Sequence, residues 1–213
     1  MLKKDLTVLF QGDSITEWGR NYNEEGNMGT GYAMISSSIL GALHPEVDFK
    51  FINKGIGGNR SIDLVERWQE DCIDLKPDVV SIMIGINDTW RKYGDNEETS
   101  VEKYERNVRY LISSIKEKLE AEVILCEPFV LPFTEEQRDL WKEDLDPKIN
   151  AVRKLAREFN TGYIPFDSIF ATACIKKAPI YWSKDGVHPT QAGHGLMAVH
   201  WLEAFYLKII NGQ

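Results

Sequence analysis

Apolar positions along this chain switch period again and again, short continuous or alternating runs giving way to three- and four-residue spacing. Residues 7–10 read as a short buried strand running into Gly12-Asp13-Ser14, small residues suited to a sharp turn and to capping a following helix. A glycine-rich loop at 26–31 precedes a helix over 32–43, with Tyr32, Ile35, Ile39, Leu40 and Leu43 at helical spacing and His44-Pro45 as its stop. Residues 47–52 alternate as a second strand that ends in Gly57-Gly58-Asn59, and 62–72 read as a helix with Ile62, Val65, Trp68 and Cys72 on one face. The run 79–84 is continuously apolar, as in a central parallel strand covered on both faces, and it ends in Gly85-Ile86-Asn87-Asp88. Residues 91–100 read as polar and turn-rich. A long amphipathic helix over 101–119 follows, with Tyr104, Val108, Leu111, Ile112 and Ile115 inward. A fourth strand at 122–126, a long acidic excursion over 128–146, a helix at 149–159, a short fifth strand at 163–165, a weakly patterned helix at 168–174, a loop at 177–189 and a closing helix at 190–209 complete the chain.

Five strands alternating with helices, without a composition break or internal repeat, predict one α/β domain spanning the chain. It should have three layers (α/β/α), right-handed crossovers and a five-stranded parallel sheet. The most apolar strand, the third, belongs at the centre, which favours the flavodoxin-like order 2-1-3-4-5.

Composition narrows the function. Thirty-three acids against 25 lysines and arginines leave a net charge of −8, which disfavours nucleic acid or an anionic membrane as partner. No apolar run approaches the roughly 20 residues of a membrane span, and the first residues lack the apolar stretch and cleavage site of a signal peptide. Cys72, Cys126 and Cys174 are odd in number and far apart, so free thiols in a reducing compartment are expected and the reading is cytoplasmic. Four histidines without HxH or HExxH spacing give no metal site, and no cofactor motif stands up. Gly55-Ile56-Gly57 begins a dinucleotide fingerprint that fails at Arg60, and Thr16 occupies the last position of a would-be GxSxG elbow.

In a parallel sheet the ends of strands 1, 2 and 3 share one edge, so Gly12-Asp13-Ser14, Gly57-Gly58-Asn59 and Gly85-Ile86-Asn87-Asp88 should converge. A fourth polar cluster, Asp185-Gly186-Val187-His188, precedes the last helix. Acyl transfer needs a hydroxyl nucleophile, a base, an acid that orients the base, and donors aimed at the oxyanion. Ser14, His188 and Asp185 can fill the first three roles, with Asp167 and Asp88 as competing acids. The backbone N–H groups of Ser14 and Gly58 and the amide of Asn87 can supply the donors. Taken alone, Gly12-Asp13-Ser14 is an ordinary helix cap and Asn87 an ordinary turn former; only the set points to catalysis. Asp13 reads as structural, Asp88 as a turn acceptor, His44 as exposed, and His194 and His200 as packing or surface residues.

Those four blocks resemble the GDSL, or SGNH, hydrolase family. Its hallmark serine, glycine, asparagine and histidine match Ser14, Gly58, Asn87 and His188, with the acid on Asp185 and with Ile15 replacing the leucine of the family's name. The blocks run in family order from residue 12 to 188, and the resemblance implies a metal-free serine esterase on a flavodoxin-like sheet. Within the family the sequence is similar to bacterial intracellular carbohydrate esterases that remove acetyl groups from xylo-oligosaccharides, through Gly29-Thr30-Gly31-Tyr32, Asn53-Lys54-Gly55-Ile56, residues 80–88 and Trp90-Arg91. The implied partner is a small acylated sugar. Those esterases are commonly multimeric, so a homo-oligomer is implied by resemblance, although no residue pattern requires one. Trp18, Trp90, Tyr181 and Trp182 flank the blocks and could stack on sugar rings or simply pack. A lipid or thioester acyl hydrolase and a non-catalytic sugar-binding module are the competing functions.

Overall fold

In the computed structural model, which describes residues 3–212, five parallel strands form one sheet in the order β2-β1-β3-β4-β5. They are β1 (Asp5–Gly12), β2 (Asp48–Asn53), β3 (Val79–Met83), β4 (Glu122–Cys126) and β5 (Gly162–Ile164). The expected order and three-layer class are therefore observed. β3 is buried along its whole length, as its apolar run requires.

Successive side chains point to opposite faces of a strand, and each central strand divides accordingly. Val8 and Phe10 of β1, Met83 of β3 and Ile124 and Cys126 of β4 join one core, with Tyr32, Phe166 and Trp201. Leu9, Val80, Ile82, Val123 and Leu125 join the other, with Leu64, Trp68, Leu111 and Leu155. The first core is covered by α2 (Tyr32–Leu43), α7 (Phe166–Lys176) and α9 (Gln191–Phe205), the second by α3 (Ser61–Trp68), α5 (Val101–Lys118) and α6 (Lys142–Glu158). All five apolar residues expected to face inward from α5 are buried.

Register positions the functional edge. Gly12 pairs with Met83, and Met83 with Cys126, so β1, β3 and β4 end level. β2 ends beside them, Asn53 pairing with Phe10. Buried Asn53 then acts as a clamp: its amide donates to the carbonyls of Thr16 (2.7 Å) and Met28 (3.0 Å), and its carbonyl accepts the N–H of Gly55 (2.9 Å).

Four expectations need correction. The segment expected to be turn-rich from residue 91 is helical through Gly94, because α4 (Ile86–Gly94) begins inside the Gly85–Asp88 cluster and buries Ile86 and Thr89. The 128–146 excursion is structured in its second half. A wide helical turn, Gln137–Trp141, leads into α6, which holds Pro147 within it. Trp141, Leu145 and Ile149 recur every four residues on one buried face, which outweighs the proline penalty. In α2 the buried face includes Ser36 and Ser37, leaving Ile39 and Leu43 exposed. The 177–189 loop contains one helical turn, α8 (Pro179–Trp182), started by a proline at its first position. The three cysteines are free, Cys72 and Cys126 buried and Cys174 half-buried.

Candidate active site

The turn after β1 is built by its own side chains. Asp13 caps α1 (Ser14–Glu17), its Oδ1 accepting the N–H of Ile15 at 3.0 Å. That leaves Ser14 as the first helical residue, its N–H without an intrahelical acceptor. Asp13 is 1% exposed and its Oδ2 has no protein partner. Burial pushes its carboxyl up to about 7, against the lowering effects of the Ile15 bond and of His188.

Ser14 Oγ lies 3.0 Å from His188 Nε2, and His188 Nδ1 lies 2.6 Å from Asp185 Oδ2. An ionised carboxylate only accepts, so Nδ1 carries the proton and Nε2 is left to accept from the serine hydroxyl. The other Asp185 oxygen accepts the backbone N–H groups of His188 (2.7 Å) and Val187 (2.9 Å). Burial alone would raise the Asp185 carboxyl. The bonds from the His188 ring and from the two backbone N–H groups outweigh it and hold the group below the usual carboxylate range. The two competing acids are engaged elsewhere, Asp167 with Lys142 (2.9 Å) and Asp88 with Ser61.

The Asp185–His188 turn is braced from the far side by the excursion after β4. Gln137 Nε2 donates to the carbonyl of Asp185 (2.8 Å), and the N–H of Leu131 donates to the carbonyl of Gly186 (2.8 Å). Gly186 has φ +93°, and any Cβ there would sit 2.5 Å from the Leu131 carbonyl oxygen. Ser183 Oγ closes the turn by donating to the His188 carbonyl (3.0 Å) while accepting the Gly186 N–H (2.9 Å).

Opposite the histidine, the loop after β2 is held by the start of α4. Asn87 Nδ2 donates to the carbonyl of Asn59 (3.0 Å), Arg91 to the carbonyl of Gly58 (3.1 Å), and both Asp88 oxygens accept from Ser61, its N–H at 2.8 Å and its hydroxyl at 2.6 Å. Burial raises the Asp88 carboxyl, and the Ser61 bonds and the charge of buried Lys148 counter the shift. Gly58 takes φ +75°, a conformation open to glycine. The N–H groups of Ser14 and Gly58 donate to no other described residue. Asn87 sits in the first turn of α4 rather than in a strand-end loop, and one of its two amide hydrogens is already committed to Asn59.

Of the four aromatics singled out, one lines a neighbouring cavity and two meet His188. Its ring is flanked by the indoles of Trp18 (5.7 Å between centroids) and Trp90 (5.9 Å), and Trp90 in turn meets Trp141 of the excursion (5.3 Å). Tyr181 shares with Trp18 the wall of an adjoining cavity of roughly 520 Å³. Trp182 packs edge-on against Tyr181 (4.8 Å between centroids), its Nε1 donates to the Lys177 carbonyl (3.2 Å), and its ring lines a separate groove with Leu196 and His200. His194 is buried as a packing residue would be, but it belongs to this wall. Its Nδ1 accepts the N–H of Tyr32 (3.1 Å), its ring meets Trp18 at 5.3 Å, and burial, then the charges of His188 and Lys184, bring it down to about 4. Gln137 and Trp141 are site residues that sequence reasoning did not single out; Asn53 enters it only within the Asn53-Lys54-Gly55-Ile56 resemblance, and His194 only as a packing or surface residue. Their roles arise from contacts between distant segments. Among the described residues, no group of three or more histidines, cysteines, aspartates or glutamates could hold a metal ion.

A family model for the GDSL-like lipase/acylhydrolase family matches residues 10–196, which include every block of this constellation. The chain belongs to that family. Like this GDSL-family chain in length, an acetylxylan esterase of Geobacillus stearothermophilus is 37% identical over 97% of the chain and 96% of its own. Among solved structures, a GDSL-like lipase of Parabacteroides merdae superposes with a TM-score of 0.92 at 41% identity, covering 98% of this chain and 99% of that one. An acetylxylan esterase structure from G. stearothermophilus gives 0.86 at 35% identity, over 93% of each chain.

Proposed function

We propose that this GDSL-family protein is a serine esterase that removes acetyl groups from small carbohydrates such as acetylated xylo-oligosaccharides. The observation that carries the reading is the relay Ser14 Oγ–His188 Nε2–Asp185, with contacts of 3.0 and 2.6 Å. Ser14 Oγ attacks the acyl carbonyl as its proton passes to His188 Nε2, and Asp185 holds the imidazole and stabilises its charged form. The tetrahedral oxyanion receives the N–H groups of Ser14 and Gly58 and the free amide hydrogen of Asn87. Collapse breaks the bond to the sugar oxygen, which takes the proton from His188 and leaves an acetyl ester on Ser14. Water, deprotonated by the same His188, attacks that ester and a second collapse returns the proton to Ser14, releasing acetate. Trp18 and Trp90, beside His188, and Tyr181, in the adjoining cavity, are the aromatic rings placed to contact a sugar.

The relatives named acetylxylan esterase support the acetyl-sugar substrate. No helix among the described residues is long and apolar enough to cross a membrane, and three free cysteines fit the reducing cytoplasm in which we place the protein. Acetate release from a panel of acetylated xylo-oligosaccharides and other sugars, by wild type and Ser14→Ala, tests the reading. Turnover by wild type alone is expected. Unchanged release in Ser14→Ala would refute the nucleophile, and a preference for acyl chains of eight or more carbons would move the substrate to lipids.

A further inference from the structure

The cavity beside His188 carries a charge that neutral acetyl sugars do not use. Its wall begins at Trp18, which packs beside the His188 ring, and continues to Thr30, Tyr181, Lys184, Gln191 and His194. His194 accepts a backbone N–H and burial disfavours its protonated form, so Lys184 is the charged group in that lining. Its ammonium lies over the Trp18 ring, 5.6 Å from the centroid. A second ammonium, that of Lys177, lies 5.6 Å from the centroid of Tyr181, the other aromatic wall. The acids nearest in sequence are turned away: Asp185 binds His188, and Asp167 binds Lys142. Neither lysine has a carboxylate partner among the described residues, although acids outnumber bases in the chain by 33 to 25.

Two aromatic rings, a hydroxyl and an amide make a fair seat for a sugar ring, and the unneutralised ammonium of Lys184 in that lining, with that of Lys177 on the Tyr181 ring, selects for negative charge on that sugar. The first turn of α9, whose Thr190, Gln191 and Ala192 line the same wall, adds its N-terminal field to the lysine charge, and on a sugar ring the anion those charges meet is a carboxylate.

Building on the esterase reading, we infer that this cavity makes the enzyme selective for acetylated oligosaccharides bearing a carboxylate, with a uronic acid unit between Trp18 and Tyr181, its carboxylate on Lys184 and in the field of Lys177. Ser14 then meets the acetyl group on the neighbouring sugar. Lys184 and Lys177 determine specificity and take no part in bond making.

The test compares one acetylated oligosaccharide in three forms: with a free uronate, with the uronate as its neutral methyl ester, and with a phosphate in place of the carboxylate. For wild type at low salt, kcat/KM should favour the uronate over its methyl ester about five-fold, the upper range for one exposed ion pair, chiefly through KM. The preference should shrink as salt rises. In Lys184→Met with Lys177→Met the ratio should fall towards unity, whereas Lys103→Met, on the exposed side of α5, keeps it. A wild-type ratio of one, a ratio that survives the double substitution, or a preference for the phosphate would overturn the inference while leaving the esterase intact. Failure to hydrolyse any of the three esters, or p-nitrophenyl acetate, would refute the esterase reading itself.

Discussion

The two halves of the candidate site are made in different ways. Ser14, Gly58 and Asn87 lie just beyond the ends of β1, β2 and β3, and the pairing of Gly12 with Met83 and of Phe10 with Asn53 brings those ends together. Asp185 and His188 stand on a loop that no strand supports. Their turn is held by Gln137 and Leu131, which lie in a segment remote in sequence. The Ser14 half inherits the rigidity of the sheet, whereas the His188 half depends on a few hydrogen bonds between remote segments. The two carboxylates beside the relay differ in the same sense. Asp13, buried under the strand end with one oxygen unpartnered, is raised to about 7, whereas Asp185, wrapped in three hydrogen bonds, is lowered. One environment favours the neutral acid and the other the ion that must face an imidazolium.

The largest expected effect within this contrast is on the loop side. Asp185→Asn keeps the shape of the turn but loses the ion that fixes the imidazole's tautomer, and kcat should fall by about 10⁴. Steady-state hydrolysis of p-nitrophenyl acetate measures it, and a loss of ten-fold or less would mean that another acid orients His188. On the strand side, Asn87→Ala should cost roughly 10² to 10³ in kcat with KM little changed, because the lost donor acts on the oxyanion. A loss confined to KM would assign Asn87 to substrate binding instead.

Gln137→Met separates bracing from chemistry. It removes the part-buried bond to the Asp185 carbonyl, at a cost of about 1 kcal/mol in the urea unfolding free energy. A kcat loss nearer ten-fold should accompany it. Full activity in this variant would show that the base's turn stands without the excursion.

The smallest effect is a pH signature of Asp13. Its folded-state value of about 7 lies above the ordinary 3.8, so between those values the native protein holds a proton that the unfolded chain has released. Stability therefore falls as pH rises through that window and levels off above it. Asp13→Asn keeps the helix cap and should remove on the order of 2 kcal/mol of this slope between about pH 5 and about pH 8. Asp185 contributes with the opposite sign, its stabilisation being lost as pH falls below the carboxylate range. Identical wild-type and variant slopes would place the Asp13 carboxyl in water.

The same division governs what could be read from residues alone. Alternation and continuous apolar runs are local, and they locate five strands and their order; glycines and small polar residues mark the strand ends, so Ser14, Gly58 and Asn87 stand out. His188 and Asp185 are visible because one turn carries both. What braces that turn was not visible. Gln137 lies 48 residues from Asp185, and nothing near it distinguishes its amide from a surface side chain. The acidic run beside Gln137 reads as a solvated surface until Trp141 and Leu145 are seen packed inward. For Trp182 the choice between stacking and packing is open in the sequence for a similar reason: nearness to His188 along the chain does not fix which groove a ring lines.

The central claim is that Ser14, activated by His188, is the nucleophile. Intact-protein mass spectrometry after treatment with a fluorophosphonate ester tests it most directly. One adduct per chain should form on wild type, map to the peptide carrying Ser14, and abolish acetate release in proportion to labelling. It should be absent from Ser14→Ala and form far more slowly on His188→Ala. Labelling that persists in Ser14→Ala, or a wild type that turns over esters while Ser14 stays unmodified, would contradict the claim.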